Sequence, residues 1–327
     1  MSSIAAREDV ARFLDALEAA GSPPLETLPV EQIRAITKEQ ATGMDMPPVP
    51  LATIRNLTLP GLAGDIAVRL YDPRKERAAG PLVLFFHGGG FVFGDLETHD
   101  SFCTWLADAF DLPVLATDYR LAPEHPFPAA VEDVEVVARW AADNPGVLDR
   151  EVTSLIACGD SAGGNLAIVL AGVLERRPAA VPLIAQLAIY PYCGGGMDWP
   201  SYRAFGEGFM LSRGVMKWFE QCYGAPAGGA RHDCFAGPVP KSALAMLTAG
   251  LDPLRDPGRA HAERVAKTGA RVLHREAQGM IHGFVNMRAA MPSCVADLEA
   301  FVEEAHAFIK VICATGPTSQ INEGRLA

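Results

Sequence analysis

The sequence predicts an α/β fold with a mostly parallel, eight-stranded sheet, flanked by helices and covered by a helical cap. Short apolar runs bounded by Gly, Pro and Asp recur along the 327 residues and alternate with longer stretches of helical periodicity. Such alternation is typical of βαβ units. Several of the runs are apolar throughout, as expected for strands buried on both faces. With 49% hydrophobic and 20% charged residues, the chain can fill one large core.

Eight strands and five helices are predicted in the central part of the chain. The strands are expected at 51–59, 65–71, 82–86, 113–117, 154–158, 184–189, 243–248 and 271–276. Because the first two contain polar alternation and lie close together in sequence, we expect an antiparallel hairpin at one edge of the sheet. Helices are expected at 97–110, 129–143, 162–174, 258–268 and 295–311.

Two segments interrupt this alternation. Residues 1–45 contain one or two helices before the first strand, and residues 194–224 are rich in Gly, Trp, Phe and Met. We interpret both as a cap over the carboxyl edge of the sheet, with the catalytic domain at 46–315 including the second segment. The tail at 316–327 is polar and has no period, so it is expected to be mobile.

Charge and cysteine content limit the partners and the compartment. The formal net charge of −11 repels phosphate backbones, so nucleic acid is not an expected partner. The seven cysteines are odd in number and form no CxxC pair, which favours reduced thiols in a cytoplasmic protein. No run approaches the roughly 18 apolar residues of a membrane span. We expect a monomer or homodimer that acts on a small molecule and needs no metal or other cofactor.

The strongest local signal is a G-x-S-x-G motif centred on Ser161. It directly follows the apolar run 154–158 and directly precedes a helical pattern, which is the context the motif requires. A serine in so tight a turn needs neighbours without side chains, and Gly159 and Gly163 meet that need. The N–H groups that begin the following helix favour the negative charge of a tetrahedral intermediate. Ser161 is therefore the predicted nucleophile, and a glycine-rich turn with an incidental serine is the alternative.

A second signal is the run HGGGF that begins at His87, again just after an apolar strand. Three glycines leave backbone N–H groups unshielded, so a carbonyl oxygen can approach them closely. We predict an oxyanion hole formed by Gly88, Gly89 and Gly90 together with Ala162. A phosphate cradle is the usual alternative, but no lysine-serine pair follows the glycines, which excludes a Walker loop. His87 is expected to brace the loop through a hydrogen bond.

A nucleophilic serine needs a base, and that base needs an orienting carboxylate. Where the motif is catalytic, acid and base follow later strands in that order. Asp252 follows the predicted strand 243–248, and His282 follows the predicted strand 271–276. These two are the predicted acid and base, and a structural loop histidine is the alternative for His282. Asp256 is the rival acid, but beside Arg255 it is expected to form an ion pair or to act at a helix N-terminus.

Five motifs together resemble the bacterial hormone-sensitive-lipase-like family of carboxylesterases. They are HGGGFVFG at 87–94, DYRLAPE at 118–124, GDSAGG at 159–164, DPLRD at 252–256 and IHGF at 281–284. The resemblance covers about residues 45–312. It implies an α/β-hydrolase fold, the triad Ser161, Asp252 and His282, the glycine loop with Ala162 as oxyanion hole, and an N-terminal helical cap.

Two positions within these motifs call for separate expectations. Pro257 stands where the family often has an acidic residue, which affects the start of the local helix but not the triad. Within the DYRLAPE segment, Asp118 and Arg120 are expected to form a buried ion pair that shapes the floor of the site, without a catalytic role.

The expected reaction is hydrolysis of short- to medium-chain acyl esters through an acyl-enzyme. His282 must be neutral to accept the serine proton, so activity should fall as the solution becomes acidic. An apolar pocket is expected from side chains in the inserted segment and beside the catalytic loops, with core packing as the alternative; they are Phe91, Phe205, Phe209, Met210, Trp218 and Phe284.

Two other functions are compatible with parts of this pattern. An amidase or acyltransferase would share the nucleophile and the acyl-enzyme, and the sequence does not separate these from an esterase. A small-molecule receptor is disfavoured, because plant gibberellin receptors resemble this family but lack the catalytic histidine, which is present here as His282.

Overall fold

An eight-stranded sheet organises the chain, for which a computed structural model describes residues 5–194, 196 and 198–315. Its strands are β1 (Thr53–Pro60), β2 (Asp65–Asp72), β3 (Gly80–Phe86), β4 (Val114–Asp118), β5 (Val152–Asp160), β6 (Leu183–Ile189), β7 (Ala243–Ala249) and β8 (Val272–Ala277). Their spatial order is β1-β2-β4-β3-β5-β6-β7-β8. The tail predicted to be mobile, 316–327, lies outside the described residues.

The pairing of the strands confirms the predicted fold class. β1 and β2 form an antiparallel hairpin at one edge, as expected from their polar alternation, and β2 pairs antiparallel with β4. Every pairing from β4 through β3 to β8 is parallel. Parallel strands place their carboxyl ends at the same edge, so the loops that follow β3, β5, β7 and β8 converge there.

Nine α-helices occur in the described residues. They are α1 (Glu8–Ala20), α2 (Val30–Met44), α3 (Asp100–Phe110), α4 (Ala129–Ala142), α5 (Ala162–Arg176), α6 (Pro200–Phe205), α7 (Arg213–Tyr223), α8 (Arg255–Ala266) and α9 (Val295–Thr315). All five helices predicted for the central region are present. None of the helices in the described ranges combines the length and the apolar character that crossing a bilayer requires.

Two of the predicted helix starts were wrong. α8 begins at Arg255 rather than at residue 258, because Pro257 falls in the first helical turn, where its missing N–H is not needed. α3 begins at Asp100 rather than at residue 97. Before it, Asp95 N–H donates to Thr98 Oγ1 at 2.9 Å and Thr98 N–H donates to Asp95 Oδ1 at 2.8 Å, which closes a turn.

The core lies on both faces of the sheet, and β3 shows how the sequence builds it. Val83 and Phe85 pack with residues of α3 and α9 on one face. Leu82, Leu84 and Phe86 pack with residues of α4 and α5 on the other. Successive strand residues point to opposite faces, so a strand apolar throughout anchors two helical layers at once. This layering holds the carboxyl edge, and the loops on it, in fixed positions.

Candidate active site

Ser161 lies in a strained turn between β5 and α5. Its φ of 54° and ψ of −115° fall outside the regions that side chains favour. A Cβ at Gly159 would collide with the backbone of Gly163, and a Cβ at Gly163 would collide with the carbonyl of Phe86. The turn is held by Ser161 N–H, which donates to Ile189 O at 2.9 Å. The two glycines therefore have the steric role that the motif predicts.

The structure brings together the three residues predicted as nucleophile, base and acid. His282 Nε2 lies 2.8 Å from Ser161 Oγ, and His282 Nδ1 lies 2.7 Å from Asp252 Oδ2. Asp252 is fully buried and His282 is 7% exposed, whereas Ser161 is partly open to the cavity described below. A serine, an imidazole and a carboxylate in this linear arrangement can transfer the serine proton to the imidazole.

The loops after β7 and β8 hold the acid and the base against each other. Leu251 N–H donates to Met280 O at 2.8 Å, which continues the pairing of β7 and β8 into the loops that carry Asp252 and His282. Asp252 Oδ1 accepts a hydrogen bond from Leu254 N–H at 2.8 Å. With Oδ2 directed at the imidazole, both oxygens of this buried carboxylate have partners.

Asp256, the rival acid, lies away from the imidazole. Its Oδ1 is 2.9 Å from Arg255 Nε, and its Oδ2 accepts a hydrogen bond from Ser201 N–H at 2.9 Å. The predicted ion pair with Arg255 is therefore present, at the first turn of α8. The additional hydrogen bond from Ser201, at the start of α6, was not predicted. It joins the inserted segment to the first turn of α8.

The glycine loop contributes fewer free N–H groups than predicted. Gly88 N–H donates to Asp160 Oδ1 at 2.8 Å, so the assignment of Gly88 to the oxyanion hole was wrong. Within the described residues the N–H groups of Gly89, Gly90 and Ala162 have no acceptor. The error arose because the side chain next to the nucleophile folds back under the loop, a contact across 72 positions that no local pattern reveals.

Asp160 is a buried carboxylate behind the nucleophile turn. Burial acts to raise its pKa, but His99, whose Nε2 lies 3.2 Å from Oδ1, acts to lower it, and the net pKa lies below the ordinary value. Asp160 therefore stays ionised and gives Gly88 N–H a charged acceptor. Such charge-assisted hydrogen bonds are stronger than neutral ones, so this bond fixes the base of the glycine loop.

His87 braces the loop from its other side, as the sequence predicted. Its Nδ1 lies 2.7 Å from Gly88 O, and its ring stacks on Tyr119 with centroids 4.2 Å apart. Tyr119 Oη donates to His87 O at 2.8 Å. Burial lowers the pKa of His87 to about 4, so the ring is neutral at ordinary pH. A neutral ring can donate from Nδ1 to the Gly88 carbonyl.

The expected ion pair between Asp118 and Arg120 does not form. Arg120 instead pairs with Asp133 of α4, with Nη2 2.8 Å from Oδ1. Burial, followed by the charge of Asp95, raises the pKa of Asp118 to about 6. Asp118 is the last residue of β4, whereas Arg120 lies two positions later, beyond the end of the strand. Arg120 thus reaches the helical layer of α4, while Asp118 faces the side of Asp95.

A cavity of about 970 Å³ opens above Ser161 and His282. Its walls include the glycine loop, residues of α1, α2 and α7, and Phe209 and Met210 from the inserted segment. A second cavity of about 40 Å³ lies on the other side of Ser161 and includes Phe91. Three of the six side chains predicted for the pocket therefore line one of these cavities.

The other three predicted pocket residues line neither cavity. Phe284 is fully buried against Tyr190, with centroids 5.2 Å apart. Phe205 packs edge-on against Phe209 and lies beneath the Arg255 guanidinium at 4.9 Å. Trp218 packs against the core on the α4–α5 face of the sheet. For these three, the alternative of core packing was the correct one.

The sequence did not identify the apolar residues that α1, α2, the connection between them and α7 supply to the larger cavity. They include Phe13, Leu14, Leu25, Met44 and Phe219. The helical period of α1 indicated an apolar face, but an apolar face packs against a core as readily as it lines a cavity. Only the distance of that face from Ser161 in the folded chain distinguishes these uses.

Comparison with known proteins gives consistent matches. A model of the alpha/beta hydrolase fold matches residues 83–286. Esterase LipI of Mycobacterium tuberculosis is 36% identical over 255 residues, which are 75% of this chain and 78% of the relative. Ethyl acetate hydrolase of Pseudomonas putida is 32% identical over 308 residues, which are 90% and 96% of the two chains.

A solved structure is also similar over nearly the whole chain. The hyperthermophilic esterase from the archaeon Pyrobaculum calidifontis is 31% identical, with a TM-score of 0.83. The match covers 92% of this chain and 99% of that one. The range matched by the fold model contains the glycine loop, Ser161, Asp252 and His282.

Proposed function

The chain belongs to the hormone-sensitive-lipase-like family of α/β-hydrolase carboxylesterases, and we propose that it hydrolyses short- to medium-chain acyl esters with Ser161 as nucleophile. His282 is the base, and Asp252 orients it. One observation carries this assignment: the unbroken series of contacts from Ser161 Oγ to His282 Nε2 at 2.8 Å and from His282 Nδ1 to Asp252 Oδ2 at 2.7 Å.

In the first half of the reaction, Ser161 Oγ attacks the ester carbonyl carbon while His282 Nε2 takes the hydroxyl proton. The carbonyl oxygen becomes an oxyanion, and the N–H groups of Gly89, Gly90 and Ala162 are the donors available to stabilise it. When the intermediate collapses, His282 returns the proton to the alcohol oxygen. The alcohol leaves, and the acyl group stays on Ser161.

In the second half, a water molecule takes the place of the alcohol. His282 accepts a proton from the water as its oxygen attacks the acyl carbon, and the same N–H groups stabilise the second oxyanion. Collapse returns the proton to Ser161 Oγ and releases the carboxylic acid. In both halves of the reaction, Asp252 accepts the hydrogen bond from His282 Nδ1 and stabilises the positively charged imidazolium.

The helices α1 and α2, together with the inserted segment 194–224, are proposed as a cap over this site. Support comes from the residues that these helices contribute to the larger cavity and from polar anchors below them. Arg34 of α2 donates from Nε to Val92 O at 2.9 Å and pairs with Glu124 at 2.8 Å. These contacts fix α2 beside the glycine loop. Such a cap excludes bulk water from the acyl-enzyme while leaving an apolar entrance.

A relative also supports the short acyl group. The Pseudomonas putida enzyme is named for ethyl acetate, an ester of a two-carbon acid, and this chain covers 96% of its length. The apolar walls of the larger cavity suit an uncharged small molecule rather than a polar polymer.

Covalent labelling tests the nucleophile directly. The purified protein is treated with a fluorophosphonate, digested, and analysed by peptide mass spectrometry, while 4-nitrophenyl acetate turnover is measured in parallel. We expect the mass increase on the peptide containing Ser161 and loss of turnover in proportion to labelling. Ser161→Ala should keep the far-ultraviolet circular dichroism spectrum and lose both reactions. Labelling at another serine, or substantial turnover by Ser161→Ala, would overturn the assignment.

A further inference from the structure

Two cavities of very different volume meet at the reactive oxygen. The larger, about 970 Å³, opens above Ser161 toward α1 and α2. The smaller, about 40 Å³, lies beside Ser161 toward α7. Gly90, Leu211 and Phe219 line both of them and so form the partition. An ester has two arms that extend from its carbonyl carbon, and the two cavities offer each arm a separate place.

The position of His282 decides which arm enters which cavity. The alcohol oxygen must receive its proton from His282 Nε2 and therefore leaves from the side of the imidazole. His282 lines the larger cavity and not the smaller one. Ala162, whose N–H is free to bind the oxyanion, lines the smaller cavity and not the larger. With the alcohol toward His282, the acyl arm extends into the smaller cavity.

We propose that this enzyme is selective for esters that join a short acid to a bulky apolar alcohol. The inference rests on the proposed function and refines its substrate class. A water-sized group needs roughly 10–15 Å³ of such space, so the smaller cavity of about 40 Å³ holds about three heavy atoms. Counted with the carbonyl carbon, the limit is a butyryl group.

One side of the smaller cavity is tightly packed. Phe91 stacks on Tyr223 with ring centroids 3.9 Å apart, and Tyr223 is fully buried against Phe127. Met216 and Leu254 also line this cavity and are buried, whereas Glu220 at its edge is exposed. In a close-packed interior a side chain yields only when its neighbours lose contacts, so the packed side disfavours a longer acyl chain.

The walls of the larger cavity are apolar and less constrained. Leu14, Leu17 and Met44 contribute from α1 and α2, and Leu17 is partly exposed. A bulky alcohol can therefore bury apolar surface against these helices, and each buried methylene adds to the stabilisation of the transition state. Binding energy gained there favours large alcohols at the same time as the smaller cavity selects short acids.

An isomeric pair of esters tests the inference in the wild-type enzyme. Octyl acetate and ethyl octanoate have the same composition and differ only in which arm is long. We expect kcat/KM for octyl acetate to exceed that for ethyl octanoate by at least about tenfold. In a nitrophenyl ester series, kcat/KM should fall sharply beyond butyrate. Equal rates for the isomers, or preference for ethyl octanoate, would overturn the inference.

Two variants assign the selectivity to the two cavities. Met216→Ala enlarges only the smaller cavity and should raise the ratio of hexanoate to acetate turnover. Leu14→Trp fills only the larger cavity and should lower the ratio of octyl acetate turnover to ethyl acetate turnover. An unchanged acyl ratio in folded Met216→Ala would contradict the assignment. Failure of the proposed function is distinct, because the wild-type enzyme would then hydrolyse neither isomer and would not react with a fluorophosphonate.

Discussion

At the scale of single residues, both carboxylate oxygens of Asp252 have a hydrogen-bond partner. One oxygen accepts from Leu254 N–H and the other is directed at His282 Nδ1. In Asp252→Asn, the amide N–H₂ group must face either His282 Nδ1 or Leu254 N–H. If it faces Nδ1, it stabilises the imidazole tautomer that carries its proton on Nε2, which cannot accept the serine proton. We expect kcat for 4-nitrophenyl acetate to fall by about 10⁴-fold, as when a triad carboxylate becomes an amide elsewhere.

Asp256→Asn is the matched control for that variant. It also replaces a carboxylate by an amide, but at a residue that pairs with Arg255 and accepts a hydrogen bond from Ser201 N–H. We expect kcat to remain near that of the wild-type enzyme, with a stability loss of about 1–3 kcal/mol from the weakened contacts. Comparable losses of kcat in both variants would contradict the assignment of Asp252 as the orienting acid.

Asp160 acts at the same scale through the glycine loop. Its Oδ1 accepts the Gly88 N–H at 2.8 Å, and Asp160→Ala would leave that buried donor without a partner. The free N–H groups of Gly89 and Gly90 would then lose their fixed direction. We expect kcat to fall by about 10²-fold with little change in KM, because oxyanion donors act in the transition state.

Asp160→Asn separates this positioning role from a purely structural one. An amide oxygen still accepts the Gly88 N–H but without the charge, so kcat should recover part of the loss seen in Asp160→Ala. Steady-state kinetics and thermal unfolding of both variants provide the comparison. If the two variants lost stability while kcat stayed unchanged, Asp160 would have no role in positioning the loop.

At the scale of elements, the end of α2 is joined to the loop that carries His282. Asp45 and Arg288 form a buried ion pair at 2.7 Å, and the N–H groups of Ala289 and Ala290 donate to Met44 O at 3.1 Å. The Arg288 guanidinium also lies over the ring of Trp105 at 5.6 Å. The proposed cap is therefore anchored to the loop that follows the proposed base.

Removing one member of this ion pair should lower the free energy of unfolding more than removing both. Asp45→Ala leaves a buried guanidinium without its counter-charge, and we expect the free energy of unfolding to fall by about 3–5 kcal/mol. The double variant Asp45→Ala with Arg288→Met removes the uncompensated charge and should recover part of that loss. Urea unfolding measures both. A double variant no more stable than Asp45→Ala alone would contradict the explanation.

The sequence predicted the elements better than the contacts between them. All eight strands and the turn at Ser161 follow from local patterns, because apolar runs, glycines and helix starts act over a few residues. The bond from Gly88 to Asp160 and the pairing of Arg120 with Asp133 join residues 72 and 13 positions apart, and they depend on how the chain runs beyond the strand ends. Trp218 was misplaced for a related reason, since an aromatic residue near a site suits core and cavity equally.

At the scale of the whole molecule, two buried histidines oppose folding in acid. Burial lowers the pKa of His87 to about 4, and burial together with the charge of Arg264 lowers that of His261 to about 4. Their ordinary value is 6.5, so the unfolded chain takes up these protons first. The stability present above pH 6.5 is therefore lost as the pH falls through about 4, at a cost of about 3 kcal/mol for each ring.

Asp118 acts in the opposite sense. Burial and the charge of Asp95 raise its pKa to about 6 from an ordinary 3.8, so the folded state takes up this proton first. The stability it contributes is fully present below pH 3.8 and is lost as the pH rises through 6. Two lowered histidines outweigh this one raised carboxyl. The net expectation is a free energy of unfolding that falls between pH 6.5 and 4.

His261→Phe tests this balance away from the active site. His261 lies on α8, neither ring nitrogen has a partner within the described residues, and the ring packs edge-on against Phe235 at 6.0 Å. A phenyl ring keeps the packing and removes the titration. The free energy of unfolding is measured with urea at pH 6.5 and at pH 4. Between these two pH values we expect it to fall by about 3 kcal/mol less in the variant than in the wild-type protein. His125→Gln, at an exposed position, should leave the loss unchanged. If the two variants had the same acid sensitivity as the wild-type protein, burial of the His261 ring would not be a source of it.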